Sequence, residues 1–173
     1  MNHRQVTIVG ALVVVGILLG LGMPGERVSL AAGTIIYVDA DARGAENGSS
    51  WNKAYRDLQD ALDSAKNRDQ IWVAKGIYTP TEEFSPGYPR SASFQLQNGV
   101  ALYGGFDPTV GDIDWEDRDW VNNTTILSGD LNGDDGLNFA NNAENSYHVI
   151  YNPSSSALDS SAILDGFTIQ GGN

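Results

Sequence analysis

The chain contains no cysteine among its 173 residues. Disulfides are the usual reinforcement of small exported domains, so export would leave stability to packing or to bound ions. Histidine is nearly as scarce, because only His3 and His148 occur. A histidine metal site or a Ser/His/Asp triad needs a histidine with convergent partners, and His148 is alone beyond the N-terminal segment. Both chemistries are therefore excluded for residues 33–173.

Basic residues are also few. Arg4, Glu26 and Arg27 precede Gly33, which leaves 8 Lys and Arg against 21 Asp and Glu in the remaining chain, a net charge of −13. A surface this acidic repels phosphate backbones and anionic lipids. Nucleic-acid binding and membrane-surface binding are disfavoured, whereas cations are attracted.

One long apolar run is present, and it predicts a signal peptide over residues 1–32. Arg4 supplies a positive start, residues 6–21 are apolar apart from Thr7 and three glycines, and small residues suited to cleavage follow at 29–32. The 16-residue core is shorter than the roughly 20 residues that span a bilayer. We predict a cleaved, exported protein, secreted or at the cell surface, with no membrane span in the mature chain. A retained membrane anchor is the alternative.

The rest of the chain is a series of short β-type segments separated by polar loops. Successive segments lie 35, 29, 26, 23 and 18 residues apart, measured at Ile36, Ile71, Val100, Ile126, Val149 and Phe167. Short β units with a period of about 20–50 residues are typical of a solenoid. The last strand, within residues 162–173, would leave an unpaired edge. We therefore predict a mainly β solenoid domain over residues 33–173, comprising an N-terminal cap and the first coils of a longer, C-terminally truncated protein.

A single amphipathic helix is predicted over residues 55–66. Its apolar residues recur at i, i+3, i+4 and i+7, and Ser49 or Ser50 is the expected N-cap. The apolar stripe consists of Leu58, Ala61, Leu62 and Ala65. Residues 70–78 are predicted as one strand, and residues 93–106 as two strands about a bend at Asn98-Gly99.

Six blocks of sequence carry a resemblance to a known family. They read WNKAYRDLQDAL (51–62), IWVAKGIYTP (71–80), LYGGF (102–106), TILSGD (125–130), SYHV (146–149) and LDGFTI (164–169). With these blocks the chain resembles the N-terminal part of secreted bacterial right-handed parallel β-helix proteins of the pectate-lyase-like superfamily, related to the polymorphic outer-membrane type. The resemblance implies a right-handed parallel β-helix whose open end is capped by the amphipathic helix. It implies no particular chemistry, because lyases, hydrolases and adhesins share this fold.

A cation site is predicted at residues 130–136, which read DLNGDDG. Asp130, Asn132 and Asp134 alternate with the spacing of a loop that wraps Ca²⁺. The loop departs from an EF-hand, since Asp135 stands at the sixth position and Asn141 at the twelfth. Further oxygens are available from Asn141, Asn142 and Glu144. The alternative is an ordinary solvated turn, which Asx and Gly residues form without any metal.

Other candidate groups favour structural roles. A carboxylate pair in the acidic run of residues 112–119 would suit glycoside hydrolysis, yet charge runs in loops are usually solvated, and Arg118 is expected to pair locally there. Alternation on a strand points His148 away from Val149, toward a loop or groove. Sugar-stacking faces and core packing are the two roles open to five aromatic residues, namely Trp72, Tyr78, Tyr88, Tyr103 and Trp120.

Two function classes remain open from the sequence. The first is a secreted or cell-surface protein with a structural, adhesive or carbohydrate-binding role, whose partner is a polysaccharide or another cell-surface component. The alternative is a polysaccharide lyase or glycoside hydrolase whose catalytic residues lie beyond residue 173. No catalytic set can be assembled from residues 33–173, so the sequence favours the first class.

Overall fold

The computed structural model describes residues 33–111 and 113–173. The predicted signal peptide, residues 1–32, and Asp112 of the acidic run lie outside the described residues. The described part contains seven strands and one α-helix. They are β1 (Ile35–Val38), α1 (Leu58–Ser64), β2 (Gln70–Ala74), β3 (Gly76–Tyr78), β4 (Ala101–Phe106), β5 (Thr125–Ser128), β6 (Ile163–Asp165) and β7 (Phe167–Gln170).

The strands form two parallel sheets. The first has the order β1-β2-β4-β6, and the second has the order β3-β5-β7. Successive side chains on a strand point to opposite faces, so residues in register form rows across a sheet. In the first sheet the row that faces the core is Ile36, Ile71, Leu102 and Leu164. Tyr37, Trp72 and Tyr103 form the next row, on the opposite face.

The predicted right-handed parallel β-helix is wrong. The described residues form two separate, open parallel sheets of four and three strands with one helix, a mixed α/β arrangement with no closed sheet and no solenoid. The segment expected as a strand at 148–151 makes only an isolated bridge between Ile150 and Phe94. Apolar spacing locates strands, but closure requires regular backbone pairing between the connecting segments as well. The connecting segments are loops in this structure. Because the sheets do not close, the interpretation of the domain as a cap followed by coils is also wrong.

Several individual strands are nevertheless where the sequence places them. Strands β1, β5 and β7 contain Ile36, Ile126 and Phe167, three of the positions at which the sequence predicts β segments. The segment predicted as one strand at 70–78 forms two strands, which belong to different sheets. The chain changes direction at Gly76, whose φ of +145° is a conformation that only glycine tolerates well. Of the two strands expected within 93–106, only β4 forms.

Helix α1 packs its predicted apolar stripe onto the first sheet. Leu58, Ala61 and Leu62 are buried in the same cluster as Ile36 and Ile71, and Ala65 packs against that cluster. The helix is shorter than predicted, and its N-cap is Asp57 rather than a serine. The Asp57 carboxylate accepts a hydrogen bond of 2.8 Å from the backbone N–H of Gln59, which satisfies one of the free donors of the first turn.

A buried carboxylate ties the start of β1 to the start of β2. Asp69 accepts hydrogen bonds from the Thr34 backbone N–H at 2.8 Å, from the Thr34 hydroxyl at 3.0 Å and from the Lys66 N–H at 2.9 Å. Burial raises the pKa of Asp69, but these donors favour its charged form and together hold the pKa below its ordinary value. No feature of the sequence marks this residue in advance, since its donors lie 35 residues away and in an adjacent turn.

We expect Asp69→Asn to destabilise the protein at pH 7 by about 1–3 kcal/mol, because an amide presents a donor to groups that need an acceptor. A folded-state pKa below the unfolded value of about 3.9 gives stability that is complete above that pH and is lost as pH falls through the folded value. The difference between wild type and variant should therefore shrink below about pH 4 in urea unfolding. An equal difference at pH 7 and pH 3 would contradict a role for the charge.

Candidate cation site

The candidate site lies in the loop that follows β5. Asp130 Oδ1 accepts the backbone N–H of Gly133 at 2.7 Å and of Asp134 at 3.1 Å, and Oδ2 accepts the N–H of Asp135 at 3.0 Å. Gly133 has a φ of +70°, the left-handed conformation that lets the chain curl around the carboxylate. The Asp-x-x-Gly sequence thus folds into a tight loop with an acid at its centre.

Three carboxylates converge on this loop. One oxygen from each of Asp130, Asp134 and Glu144 lies within 4.8 Å of the others. Asp130 and Glu144 are half-buried, whereas Asp134 is exposed. Glu144 Oε1 is shielded from solvent and has no hydrogen-bond partner among the described residues. A shielded carboxylate oxygen without a donor costs free energy, so this arrangement favours a ligand that supplies positive charge.

Burial and hydrogen bonding have opposite effects on the pKa of Asp130. Burial raises the pKa of Asp130, and the backbone N–H groups of residues 132–135 outweigh it and hold the pKa below its ordinary value. Asp130 is therefore ionised at neutral pH and faces two further acids. Like charges at this distance repel one another, and a bound divalent cation removes that repulsion.

The segment that carries Glu144 is held against the loop by amide side chains. Asn141 Nδ2 donates to the Asp134 carbonyl at 3.0 Å, and Asn145 Nδ2 donates to Asp135 Oδ2 at 2.8 Å. Asn145 is buried, with 2% of its surface exposed, so the second contact is sheltered from water. These bonds bring residue 144 beside residues 130 and 134 although the sequence separates them by at least ten positions.

The structure brings together part of the predicted set. Asp130 and Asp134 are in the cluster, and Glu144, suggested from the sequence only as a nearby oxygen, is its third member. Asn132 lies exposed in the same loop and lines a small cavity with Asp130. The Asn141 side chain serves instead as a donor within the loop. This set provides fewer than the six to eight oxygens that Ca²⁺ takes, so carbonyls or water would complete it.

The acidic run before β5 is a set of turn caps. Asp114 and Asp117 form a reciprocal capping box around residues 115–117, and Asp119 accepts backbone N–H groups from Val121 and Asn122. Asp114, Asp117 and Asp119 are thus engaged in local hydrogen bonds, a structural role of the kind that the sequence favours.

The prediction that Arg118 pairs within that run is wrong. It pairs instead with Asp165 of β6, 47 residues away. Its Nε donates to the Gly104 carbonyl at 2.6 Å, and only 7% of its side chain is exposed. The guanidinium carbon lies 4.9–5.3 Å from the ring centroids of Tyr103, Trp115 and Trp120. This contact ties the loop after β4 to the first sheet by cation–π attraction.

The five aromatic residues that the sequence singles out differ in burial. Trp72 and Tyr78 are buried, Tyr103 is half-buried, and Tyr88 and Trp120 are 68% and 56% exposed. The buried members serve as core, and the Trp72 ring stacks on Phe106 at 4.7 Å. His148 is exposed and lines a cavity, whereas its neighbour Val149 is buried.

Comparison with known proteins identifies no relative. No family model, no curated protein and no solved structure matches the chain, and nothing identifies it as a member of the pectate-lyase-like superfamily. Within residues 33–111 and 113–173, none of the helical structure has the length and apolar character needed to cross a membrane.

Proposed function

We propose that this chain is an exported structural or adhesive protein, secreted or held at the cell surface, and that its 130–144 loop binds Ca²⁺. The observation that carries the proposal is the convergence of Asp130, Asp134 and Glu144, with one sheltered Glu144 oxygen that has no hydrogen-bond partner within residues 33–111 and 113–173. The export part rests on the apolar sequence of residues 6–21 and the small residues after it.

A structural use of the ion agrees with the composition. The chain has no disulfide to reinforce it, and its acids outnumber its bases about two to one. An ion that bridges the β5 loop and the segment before residue 145 adds stability to the folded state alone, by RT ln(1 + [L]/Kd). Extracellular calcium modules typically bind with Kd values of about 10⁻⁴–10⁻³ M, which suits free calcium outside cells.

We expect 10 mM Ca²⁺ to stabilise the protein by about 1.4–2.7 kcal/mol relative to EDTA, if its Kd is in that range. The melting temperature should rise by several degrees, and calorimetric titration should give one site. Asp134→Asn combined with Glu144→Gln should abolish the rise. These positions are preferable to Asp130, whose carboxylate also holds three backbone N–H groups in place.

The matched control is Asp60→Asn combined with Glu116→Gln, which removes the same two charges at exposed positions outside the cluster. This control should keep the calcium response. In EDTA the cluster variant should be at least as stable as wild type, because it relieves the repulsion among the three acids. A melting temperature indifferent to both Ca²⁺ and EDTA, or an unchanged rise in the cluster variant, would leave only an ordinary turn at this loop.

A further inference from the structure

A second cavity has a lining that includes none of the residues of the cation cluster. A cavity of about 280 Å³ lies between the segment of residues 84–93 and the segment of residues 147–151. Its lining residues are aromatic rings, an imidazole and hydroxyl groups: Phe84, Ser85, Ser91, Ser93, Tyr147, His148 and Tyr151. The volume is just below the roughly 300–1,000 Å³ of sites for drug-sized molecules, so it suits one small ring or the end of a larger molecule.

The walls of this cavity are held by backbone pairing. The Tyr147 N–H donates to the Arg90 carbonyl at 2.8 Å, and the Tyr151 N–H donates to the Phe94 carbonyl at 3.0 Å. On the other wall, the Phe84 N–H donates to the Ser91 carbonyl at 3.2 Å. The cavity is therefore formed by the fold itself and does not depend on side-chain placement alone.

Three aromatic rings and an imidazole line the cavity. The Tyr151 ring meets Phe84 edge-on at 4.5 Å between centroids and stacks on His148 at 5.6 Å. The Tyr147 ring has one face occupied by the Arg90 guanidinium, 4.3 Å from its centroid. Phe84 and Tyr147 are 39% and 53% exposed, so aromatic surface is accessible at the rim.

One wall carries a polar group that the fold leaves unsatisfied. Ser93 is 98% buried, and its hydroxyl has no hydrogen-bond partner among the described residues. A buried hydroxyl without a partner is uncommon in native structures because it forfeits the hydrogen bonds that it makes in water. By contrast, the neighbouring Ser91 hydroxyl is fully used, since it accepts from the Ser85 N–H and donates to the Ser85 carbonyl.

We propose that this cavity binds a neutral sugar ring of a polysaccharide or glycan. The C–H face of a sugar packs on aromatic rings, and its hydroxyls both donate and accept, as serine, tyrosine and histidine side chains require. A neutral sugar is favoured over an anionic one because the Arg90 guanidinium is already engaged by the Asn145 and Asn173 carbonyls and the net charge is strongly negative. This inference deepens the adhesive role proposed above and rests on it.

The test uses the full chain and defined probes, namely neutral hexasaccharides of glucose, mannose and galactose at millimolar concentration, followed by calorimetry and NMR line broadening. We expect at least one to bind. Tyr147→Ala and His148→Ala, both at exposed positions, should weaken binding about tenfold or more. Tyr88→Ala is the matched control, because this exposed tyrosine belongs to the 84–93 segment but does not line the cavity.

Ser93→Ala separates a binding role from a structural one. It removes an unsatisfied hydroxyl, so it should leave the melting temperature unchanged or higher while weakening the sugar complex. A clear loss of stability would show that the hydroxyl has a partner in the fold and would overturn the argument.

Three further outcomes would also overturn it. They are the absence of binding by every hexasaccharide, binding that is unchanged in the Tyr147 and His148 variants, and tighter binding of a galacturonate hexasaccharide or of a phenylalanyl dipeptide. The calcium response is measured on the same protein and does not involve this cavity. If no sugar binds but calcium still raises the melting temperature, the sugar site alone is rejected. If neither sugar binding nor the calcium response is observed, the proposed function is rejected as well.

Discussion

Replacing Leu58 with aspartate is expected to destabilise the protein by more than about 4 kcal/mol, the largest effect that we predict for one side chain. Leu58 is 1% exposed at the first turn of α1 and packs in the cluster that contains Ile36 and Ile71. The substitution removes a buried apolar side chain and places an unpaired charge in the same space, where no basic group of the core cluster can compensate.

Leu58→Ala and Asp60→Asn are the controls for this prediction. The alanine variant creates a cavity without a charge and should cost about 2–5 kcal/mol, less than the aspartate variant. Asp60 is exposed on the other side of the same helix, so its replacement should change stability by less than about 0.5 kcal/mol. Urea unfolding measures all three variants. Wild-type stability for Leu58→Asp would mean that α1 does not pack on the sheet.

The sequence predicts the local parts of this fold better than their assembly. The apolar stripe of α1 is correct because burial on one helical face imposes a 3.6-residue period that is visible in a short window. The strands around Ile36, Ile126 and Phe167 are correct because each is a short run rich in β-branched or aromatic residues, which is also visible in a short window. In each case the sequence pattern extends over the same few residues as the helix or strand that it predicts.

Closure into a β-helix was predicted from spacing and resemblance, and it is the part that is wrong. Spacing treats each apolar segment as equivalent, whereas Val149 belongs to a segment with a single bridge and Gly76 divides one expected strand between two sheets. Those differences depend on backbone hydrogen bonds to residues distant in sequence. A pattern of side-chain types does not encode them.

The same limit applies to the candidate site. Asp130 and Asp134 were found because alternation within one tight loop is a local signal. Glu144 is brought into the cluster by hydrogen bonds that the side-chain amides of Asn141 and Asn145 donate to the loop. Arg118 likewise pairs with Asp165, which is 47 residues away in the sequence. The Ser93 hydroxyl carries no sequence signal at all, because only the surrounding structure shows that no described residue is its hydrogen-bond partner.

A second large effect is expected at Gly105, where β4 bulges away from regular pairing with β2. Gly105 has a φ of +99°, a conformation that costs other residues about 1–2 kcal/mol. An added Cβ atom would also lie 2.7 Å from the backbone nitrogen of Trp120 and 2.8 Å from its Cα, and backbone atoms cannot rotate aside. Crowding of this kind typically costs a further 1–3 kcal/mol, so Gly105→Ala should destabilise the protein by roughly 2–5 kcal/mol in total.

Gly87→Ala separates the two contributions to that effect. Gly87 has a similar φ of +87°, but a Cβ atom there would meet no atom of the described residues within 4 Å other than those of its chain neighbours. It should therefore lose only the conformational part, about 1–2 kcal/mol. The additional loss of stability expected at Gly105 also reflects its hydrogen bonds, which hold the backbone in place. Its N–H donates to Thr125 Oγ1 at 2.9 Å, and its carbonyl accepts from the Asp119 N–H at 2.8 Å. Equal losses for the two variants in urea unfolding would contradict the close approach of Trp120, because the clash is the main difference between the two sites.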